Sequence, residues 1–420
     1  MTGSDQPTLL TAIPGPRSRE RVDVLARHEC PAITARRARR AAALGAADDD
    51  PVVWAEAVGA NVKDVDGNLF VDLTAGFGVA LIGHRHPRVV DAAAAQGHTL
   101  LHAMGDAFPD VTRIALLERL AGLAPAGLEV AILGLSGADA VEAAVKTAVI
   151  ATGRDGVLVF EGAYHGLALG ALGLQAYNAG FTAPFRRITH PAVRVLPYGC
   201  PATDVANALA DGTIGMVLVE PVQGRGGMRA PPDGWLAEVA SLTRRSGALF
   251  ACDEILTGLG RTGSMWAHGE AVPDLLCTGK ALAGGFPLSA CLGTRAAMDA
   301  WGASTGEAIH TQTFLGHPVG CAAALAALDV ITEDDVPLRA ASIAARLSDH
   351  LGAIGLATTG RGLVLGIELP NTLAASRKLL QRGYIAFPAG RRGEVLGLTP
   401  SAFLTDEQVD AFVATLAEIA

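Results

Sequence analysis

Two short apolar runs that end in polar residues, Leu249-Phe-Ala-Cys-Asp253 and Leu275-Leu-Cys-Thr-Gly279-Lys280, decide the fold of this chain. Each run indicates a strand that is buried on both faces, because it is continuously apolar rather than alternating. Similar runs alternate with helical segments from about residue 129 onward. This alternation predicts a mostly parallel sheet with helices packed on its faces.

The regions on either side of this core have a different pattern. Residues 52–72 indicate short strands around the turn Asp66-Gly67-Asn68, and residues 338–420 alternate helix and strand again. We therefore predict an α/β protein with a large domain over residues 73–318 and a small α+β lobe from both chain ends, residues 1–72 and 319–420. The main predicted strands are 130–133, 156–160, 214–220, 248–253, 274–278 and 288–293, and the main predicted helices are 138–152, 233–246 and 319–331.

Asp253 and Lys280 each follow one of the two apolar runs. The carboxyl ends of parallel strands meet at one edge of a sheet, where ligands of open α/β folds bind. A buried carboxylate or ammonium without a partner costs several kcal/mol, so these residues need a reason to be there. They form either a structural ion pair or a cofactor site.

One cofactor requires both groups. Pyridoxal phosphate (PLP) needs a lysine amine that condenses with its aldehyde and a carboxylate that keeps its pyridine nitrogen protonated. Lysine otherwise occurs only at Lys63, Lys146 and Lys378, none of which ends a strand in a glycine-rich segment. The sequence therefore predicts that Lys280 and Asp253 hold PLP.

Three further segments offer contacts for such a cofactor. Ser136-Gly137-Ala138 follows a predicted strand and opens a predicted helix, so its N–H groups and the helix dipole suit a phosphate. Tyr164-His165-Gly166 follows another strand and offers a ring for stacking, although such a ring can equally belong to the core. Glu220 ends a third strand and is either a site carboxylate or a loop cap.

A second glycine-rich segment, Gly258-Leu-Gly260-Arg-Thr-Gly263, formally matches the dinucleotide-binding fingerprint. The two acidic residues Asp253 and Glu254 separate it from its strand. Residues 264–269 do not indicate the helix that the fingerprint requires. We therefore reject a nicotinamide-dependent oxidoreductase.

The net charge and the amino-acid composition limit the classes of molecule that the protein can bind. The net charge of −9 repels nucleic acid and anionic lipid. No apolar run reaches the length of a membrane span, and the first residues lack the apolar core of a signal peptide. The six cysteines show neither a metal-binding nor a disulfide pattern. We expect a cytoplasmic protein that binds small molecules and has no metal site.

Segments spread over nearly the whole chain resemble the class III (4-aminobutyrate and ornithine type) aminotransferases and occur in the same order as in that family. The matching segments are Val65-Asp66-Gly67-Asn68, Gly83-His-Arg-His-Pro87, Ser136-Gly-Ala-Asp-Ala-Val-Glu-Ala143, Gly162-Ala-Tyr-His-Gly166, Glu220-Pro-Val-Gln-Gly224, Asp253-Glu254 through Gly263, Lys280 and Thr313-Phe-Leu-Gly-His-Pro318.

This resemblance implies the PLP-dependent transferase fold type I and a homodimer. It makes Lys280 the residue that forms the aldimine and shuttles the proton, and Asp253 the partner of the pyridine nitrogen. It also implies that Ile255 packs on the ring face opposite Tyr164, and that Thr313 reaches the phosphate of the neighbouring subunit. The predicted cofactor contacts are Ser136, Gly137, Ala138, Tyr164, His165, Glu220, Asp253, Ile255, Lys280 and Thr313.

Two positions depart from the family. Leu167 stands where members that use 4-aminobutyrate carry a carboxylate-binding arginine, and Gly397 stands where members that use 2-oxoglutarate or glutamate carry another. A bidentate guanidinium is hard to replace, so these losses argue against 4-aminobutyrate and weaken 2-oxoglutarate as the acceptor. Arg225, Arg391 and Arg392 are either substitutes for the lost charge or solvated surface residues.

The resemblance also locates a substrate pocket and a reaction. Trp54, Phe77 and Met104 lie in segments that border the pocket in this family, and they predict a bulky, apolar site. We expect a transaminase that moves an amino group from an amine or amino acid to a keto acid or aldehyde. The alternatives are an amino acid racemase or epimerase of the same fold and a catalytically silent PLP-fold binding protein.

Overall fold

A computed structural model describes residues 1–31, 33, 52–105, 107–189, 192–303 and 308–419. The strands within these residues are β1 Trp54–Val58, β2 Asn61–Asp64, β3 Leu69–Asp72, β4 Val130–Gly134, β5 Gly156–Phe160, β6 Val193–Leu196, β7 Ile214–Val219, β8 Leu249–Asp253, β9 Leu275–Thr278, β10 Ser289–Gly293, β11 Thr358–Arg361, β12 Val364–Glu368, β13 Tyr384–Ile385, β14 Phe387–Ala389 and β15 Val395–Leu398.

The α-helices are α1 Pro16–His28, α2 Pro87–Thr99, α3 Val111–Leu123, α4 Gly137–Thr152, α5 Leu169–Leu172, α6 Ala179–Thr182, α7 Ala202–Leu209, α8 Trp235–Arg245, α9 Arg295–Met298, α10 Pro318–Glu333, α11 Val336–Ala353, α12 Thr372–Leu380 and α13 Asp406–Ile419. Short 3₁₀ helices cover Ala183–Phe185, Lys280–Ala283 and Asp299–Ala303. Ala75–Gly78 forms a tight turn with left-handed backbone angles at Gly76 and Phe77.

The central sheet contains seven strands in the order β4-β10-β9-β8-β7-β5-β6. Strand β10 runs antiparallel to β4 and β9, and the remaining pairs are parallel. The predicted α/β fold with a mostly parallel sheet is therefore confirmed. Strand β6, at one edge, was not predicted.

Residues of the central strands alternate between two apolar layers. Val157 and Val159 of β5 pack in a cluster with α4, whereas Leu158 and Phe160 pack in a second cluster with α7 and α8. All residues of β5 and β7 are buried, as expected for strands covered on both faces. Their continuous apolar runs follow from this double coverage.

Both chain ends contribute to the smaller sheets. Strands β1, β2 and β3 form an antiparallel meander, and β13 from the carboxyl-terminal part pairs parallel with β3. A second sheet has the order β11-β12-β15-β14. The predicted small lobe from both chain ends is present, although residues 32 and 34–51 of its amino-terminal segment lie outside the described residues.

Helix α10 spans the predicted domain boundary between residues 318 and 319. It packs against α2, α3 and the 3₁₀ helix that starts at Lys280. The turn that carries the lysine therefore rests on a long, buried helix. None of the helices within the described residues is long and apolar enough to cross a membrane.

Candidate active site

The carboxyl edge of the central sheet brings the predicted site residues together. Strands β8 and β9 are adjacent and parallel, so Asp253 at the end of β8 and Lys280 just after β9 leave the sheet side by side. Strands β5 and β7 lead in the same way to Tyr164 and Glu220. The site thus lies where open parallel sheets bind their ligands.

Lys280 starts a 3₁₀ turn in a left-handed backbone conformation, with a φ of 29°. Its side chain is half-buried. Burial lowers the pKa of its amine, and the negative charges of Asp253 and Glu220 only partly oppose this effect. Lys280 is therefore more easily deprotonated than an ordinary lysine, which a nucleophilic amine needs.

Asp253 is paired with a histidine from another strand end. Its Oδ2 lies 2.7 Å from Nδ1 of His165, and its Oδ1 accepts the N–H of Ile255 at 3.1 Å. Both Asp253 and His165 are buried, and Nε2 of His165 has no hydrogen-bond partner among the described residues. A buried carboxylate beside an unsatisfied ring nitrogen fits a site built to receive a polar ligand.

The amino-terminal end of α4 offers an anion site. The Ser136 side chain accepts the N–H of Asp139, whose carboxylate accepts the N–H groups of Leu135 and Ser136, so the cap leaves the first N–H groups of the helix free. Ser289 donates a 2.6 Å hydrogen bond to the Ser136 carbonyl and fixes this loop to β10. Ser289 was not predicted as part of the site.

Ile255 fits closely against this loop. A Cβ atom added to Gly137 would lie 2.9 Å from Cδ1 of Ile255, and one added to Gly279 would lie 3.5 Å from its Cγ2. The Ile255 side chain therefore lies between the helix end and the residue before Lys280. The absence of a side chain at Gly137 therefore leaves the room that Ile255 occupies.

Glu220 ties two loops of the site together. Its Oε1 accepts the N–H of Tyr164 at 2.9 Å, and its Oε2 accepts the N–H of Gly224 at 3.3 Å. Burial raises its pKa to about 7; the Asp253 charge adds to this and His165 opposes it. Glu220 therefore caps two loops, as one interpretation of the sequence expected, and its role as a site carboxylate stays a prediction.

The four predicted pocket residues other than Gly397 have exposed side chains. Phe77 is 66% exposed and stacks on Phe387, with ring centroids 5.7 Å apart. It precedes Gly78, where an added Cβ atom would come within 3.7 Å of Cδ of Lys280. Trp54, Met104 and Leu167 are also exposed, with the Trp54 ring edge-on to His84.

The two remaining predicted site positions, Thr313 and Gly397, differ in their exposure to solvent. Thr313 is exposed on a short segment before α10. Gly397 is buried in β15, where an added Cβ atom would lie 2.6 Å from Cε of Met228. The space that a side chain at position 397 would occupy is thus taken by Met228.

Arg261 is a buried cation that sequence reasoning did not place in the site. It donates to the carbonyls of Pro400 and Gly78, the latter at 3.1 Å, and burial lowers its pKa to about 9. It therefore holds the turn beside Lys280 against the carboxyl-terminal part of the chain. The sequence feature that could have revealed it is its place in the glycine-rich segment Gly258–Gly263, whose turns direct the Arg261 side chain into the interior.

A strand-end lysine, a buried aspartate and a helix terminus at one edge of this sheet define a PLP-dependent enzyme of fold type I. The class-III aminotransferase family model matches residues 44–420, and the chain belongs to that family. It is therefore an aminotransferase that uses PLP. When bound, PLP supplies a reactive aldehyde and an electron-withdrawing ring.

Individual proteins that are similar to this chain are also named as aminotransferases. The chain is 36% identical to the acetylornithine aminotransferase of Mycobacterium tuberculosis over 378 residues, which cover 88% of this chain and 92% of the relative. The corresponding protein of Methanopyrus kandleri is 34% identical, with coverages of 88% and 94%. The ornithine aminotransferase of Toxoplasma gondii has a similar structure, with a TM-score of 0.84, 28% identity and coverages of 96% and 94%.

Proposed function

We propose that Lys280 both holds PLP and moves the proton during amino transfer, and that Asp253 keeps the pyridine nitrogen protonated. The observation that carries these roles is the placement of Lys280, just after β9, next to the buried Asp253 at the end of the adjacent strand β8. Burial also lowers the pKa of the Lys280 amine, which favours the neutral form that attacks an aldehyde and accepts a proton from carbon.

The remaining predicted contacts have complementary roles in this proposal. Ser136, Gly137 and Ala138 bind the phosphate through the end of α4. Ile255 and Tyr164 pack on opposite faces of the ring. His165 orients the Asp253 carboxylate through the 2.7 Å contact and excludes water from it.

The donor is an amine or an amino acid, and the acceptor is a keto acid or an aldehyde. Relatives named acetylornithine aminotransferase suggest an amino acid donor. Leu167 and Gly397 differ from the family positions that carry carboxylate-binding arginines, however. The exposed Trp54, Phe77, Met104 and Leu167 side chains instead offer an apolar entrance to an apolar substrate.

The visible spectrum of the PLP-bound enzyme tests the reaction. Single donors are added without an acceptor, from glutamate, alanine and apolar amino acids to diamines and arylalkylamines. We expect at least one donor to convert the lysine-bound cofactor to its amino form. If every donor leaves the spectrum unchanged while an amino acid exchanges its α-hydrogen with solvent deuterium, the enzyme is a racemase or epimerase instead.

The proposed active unit is a homodimer in which Thr313 binds the phosphate of the neighbouring subunit. Its support is an exposed apolar surface on the segments around Thr313, where the His102 and Phe314 rings lie 5.5 Å apart. Exposed apolar patches of this kind mark subunit interfaces. The apolar side chains are Leu101, Met104, Phe108, Val111, Ile114 and Phe314.

A cytoplasmic location stays a prediction from charge and composition.

A further inference from the structure

We propose that Arg225 binds the carboxylate of the substrate and takes over the charge that is missing at Gly397. This inference rests on the proposed transamination and specifies its substrates as amino acids and keto acids. It makes Arg225 a specificity-determining residue rather than a surface cation.

The Arg225 side chain packs against two tyrosine rings, one of which, Tyr164, belongs to the predicted site. Its Cζ lies 4.6 Å from the centroid of Tyr164 and 5.4 Å from that of Tyr177. Contacts of this type fix the plane of a guanidinium while leaving its edge N–H groups free. Arg225 is half-buried and forms no ion pair with any of the described residues. Its charge is thus oriented and has no internal partner.

The backbone around Arg225 is fixed as well. The preceding Gly224 donates to Glu220, and the Arg225 carbonyl accepts the N–H of Gly390 at 3.0 Å. The hydroxyl of Tyr177 donates to the Gly390 carbonyl at 3.1 Å. The same contacts that hold Tyr164 near the catalytic groups therefore also position Arg225.

Arg225 is close enough to Lys280 to affect it. The positive charge of Arg225 is one of the contributions that lower the pKa of the Lys280 amine. In an α-amino acid the carboxylate is bonded to the carbon that carries the reacting nitrogen, so a cation near the Lys280 amine would be suitably placed for it. Arg–carboxylate pairs are also among the strongest polar contacts in proteins.

The loop that carries Arg225 also fills the space next to Gly397, the position at which family members carry a carboxylate-binding arginine. Met228, three residues further along, fills the space next to Gly397. Arg392, the other nearby candidate, is 87% exposed and lies 3.5 Å from Glu394, and Arg391 is exposed too. Of these three arginines, Arg225 is the one that contacts a residue of the predicted site, the ring of Tyr164.

The test compares the PLP-bound wild-type enzyme with Arg225→Gln and Arg225→Lys. Each is assayed with an amino acid donor and with the amine that lacks only its carboxylate. We expect Arg225→Gln to raise KM for the amino acid about 10–100-fold, the loss typical of a charge-assisted hydrogen bond. The KM for the amine should stay within about twofold. The KM of Arg225→Lys for the amino acid should be intermediate, because lysine keeps the charge but not the paired N–H donors of the guanidinium.

Calorimetric binding of an unreactive dicarboxylate to the same proteins provides a readout independent of turnover, and its affinity should fall in parallel. Arg229→Gln is the matched control, because Arg229 lies on the same loop but over Tyr198, with 5.5 Å from Cζ to the ring centroid. An unchanged amino acid KM and dicarboxylate affinity in Arg225→Gln, or an equal loss for the amine, would overturn the inference. A wild-type enzyme that converts amines but no amino acid would also overturn it, whereas a wild-type enzyme that converts no donor contradicts the proposed transamination itself.

Discussion

The position of Asp253 and Lys280 at one edge of the sheet could be predicted from the sequence, because each residue follows a continuous apolar run and parallel strands end at the same edge. The hydrogen-bond partners of the site residues could not be predicted. The pair of Asp253 and His165 joins positions 88 residues apart, and Ser289 contacts Ser136 across 153 residues. Contacts over such separations depend on the packing of whole elements, which no local pattern encodes. The environment of Arg225 escaped prediction for the same reason.

Replacement of Lys280 tests the central residue of the mechanism. In Lys280→Ala we expect turnover to fall about 10³-fold or more, since both the proposed covalent anchor and the proposed proton carrier are lost. The visible absorbance of the lysine-bound cofactor should disappear as well. The control is Lys378→Ala, whose exposed side chain donates to the carbonyl of Ile419, at 3.2 Å, and to no other group in the described part of the chain. Turnover that survives in Lys280→Ala would exclude its catalytic role.

The pH dependence of cofactor capture tests the lowered pKa of Lys280. The neutral amine attacks the aldehyde, so the capture rate should rise with pH and level off where the amine is fully deprotonated. Because burial lowers this pKa, the midpoint of the rise should lie below pH 10.5, the ordinary value for lysine. The measurement is the rate of absorbance change when PLP is mixed with apoenzyme at a series of pH values. A midpoint at or above pH 10.5 would contradict the assigned burial effect.

At the scale of elements, apolar continuity predicted β5 and β8 to within a residue or two. Strand β6 was not predicted because its four residues are at most half-buried and include Arg194, so the run has no continuous apolar signal. It forms only because β5 pairs with it along its length. The amino-terminal end of α4 was predictable for a local reason, since Ser136 and Asp139 form a capping box.

Gly137 links this helix end to cofactor binding, and Gly137→Ala tests the link. The added Cβ atom would lie 2.9 Å and 3.0 Å from two carbons of Ile255, so the helix end or Ile255 must move. Overpacking costs about 1–3 kcal/mol, which corresponds to a loss of about 5- to 150-fold in PLP affinity where it distorts the site. Titration of apoenzyme with PLP measures this affinity.

The control for this substitution is Gly122→Ala in α3. An added Cβ atom there meets no atom within 4 Å, so the gain in helix propensity should raise the free energy of unfolding by about 0.5–1 kcal/mol. Its PLP affinity should equal that of the wild type. If Gly137→Ala also binds PLP with unchanged affinity, the close packing of Ile255 has no role in the phosphate site.

At the scale of the whole molecule, a single chain leaves several large apolar side chains exposed around the segment of Thr313. Leu101, Phe108 and Val111 are each more than 60% exposed, and they lie near the segment of Thr313. Such exposure is costly for a monomer and is removed when two copies pair. The proposed exchange of Thr313 between subunits would make each site depend on both chains.

Mixed dimers test this exchange directly. Thr313→Glu places a carboxylate against the proposed phosphate position, so its homodimer should be inactive, as should that of Lys280→Ala; Thr313→Ser should retain activity. Co-expression of the two inactive chains with different affinity tags allows the mixed dimer to be purified. If Thr313 acts across the interface, one site combines an intact Lys280 with the intact Thr313 of the other chain, and about half of the wild-type activity per dimer should return.

If Thr313 instead serves its own chain, both sites of the mixed dimer carry a defect and activity stays absent. Size-exclusion chromatography and thermal unfolding of Thr313→Glu separate these outcomes from misfolding, since a folded, dimeric variant must elute and melt like the wild type. A wild-type protein that elutes as a monomer yet turns over would contradict the shared site. Restored activity in the mixed dimer requires a dimer and a threonine in trans at once, because neither chain alone then contains a complete site.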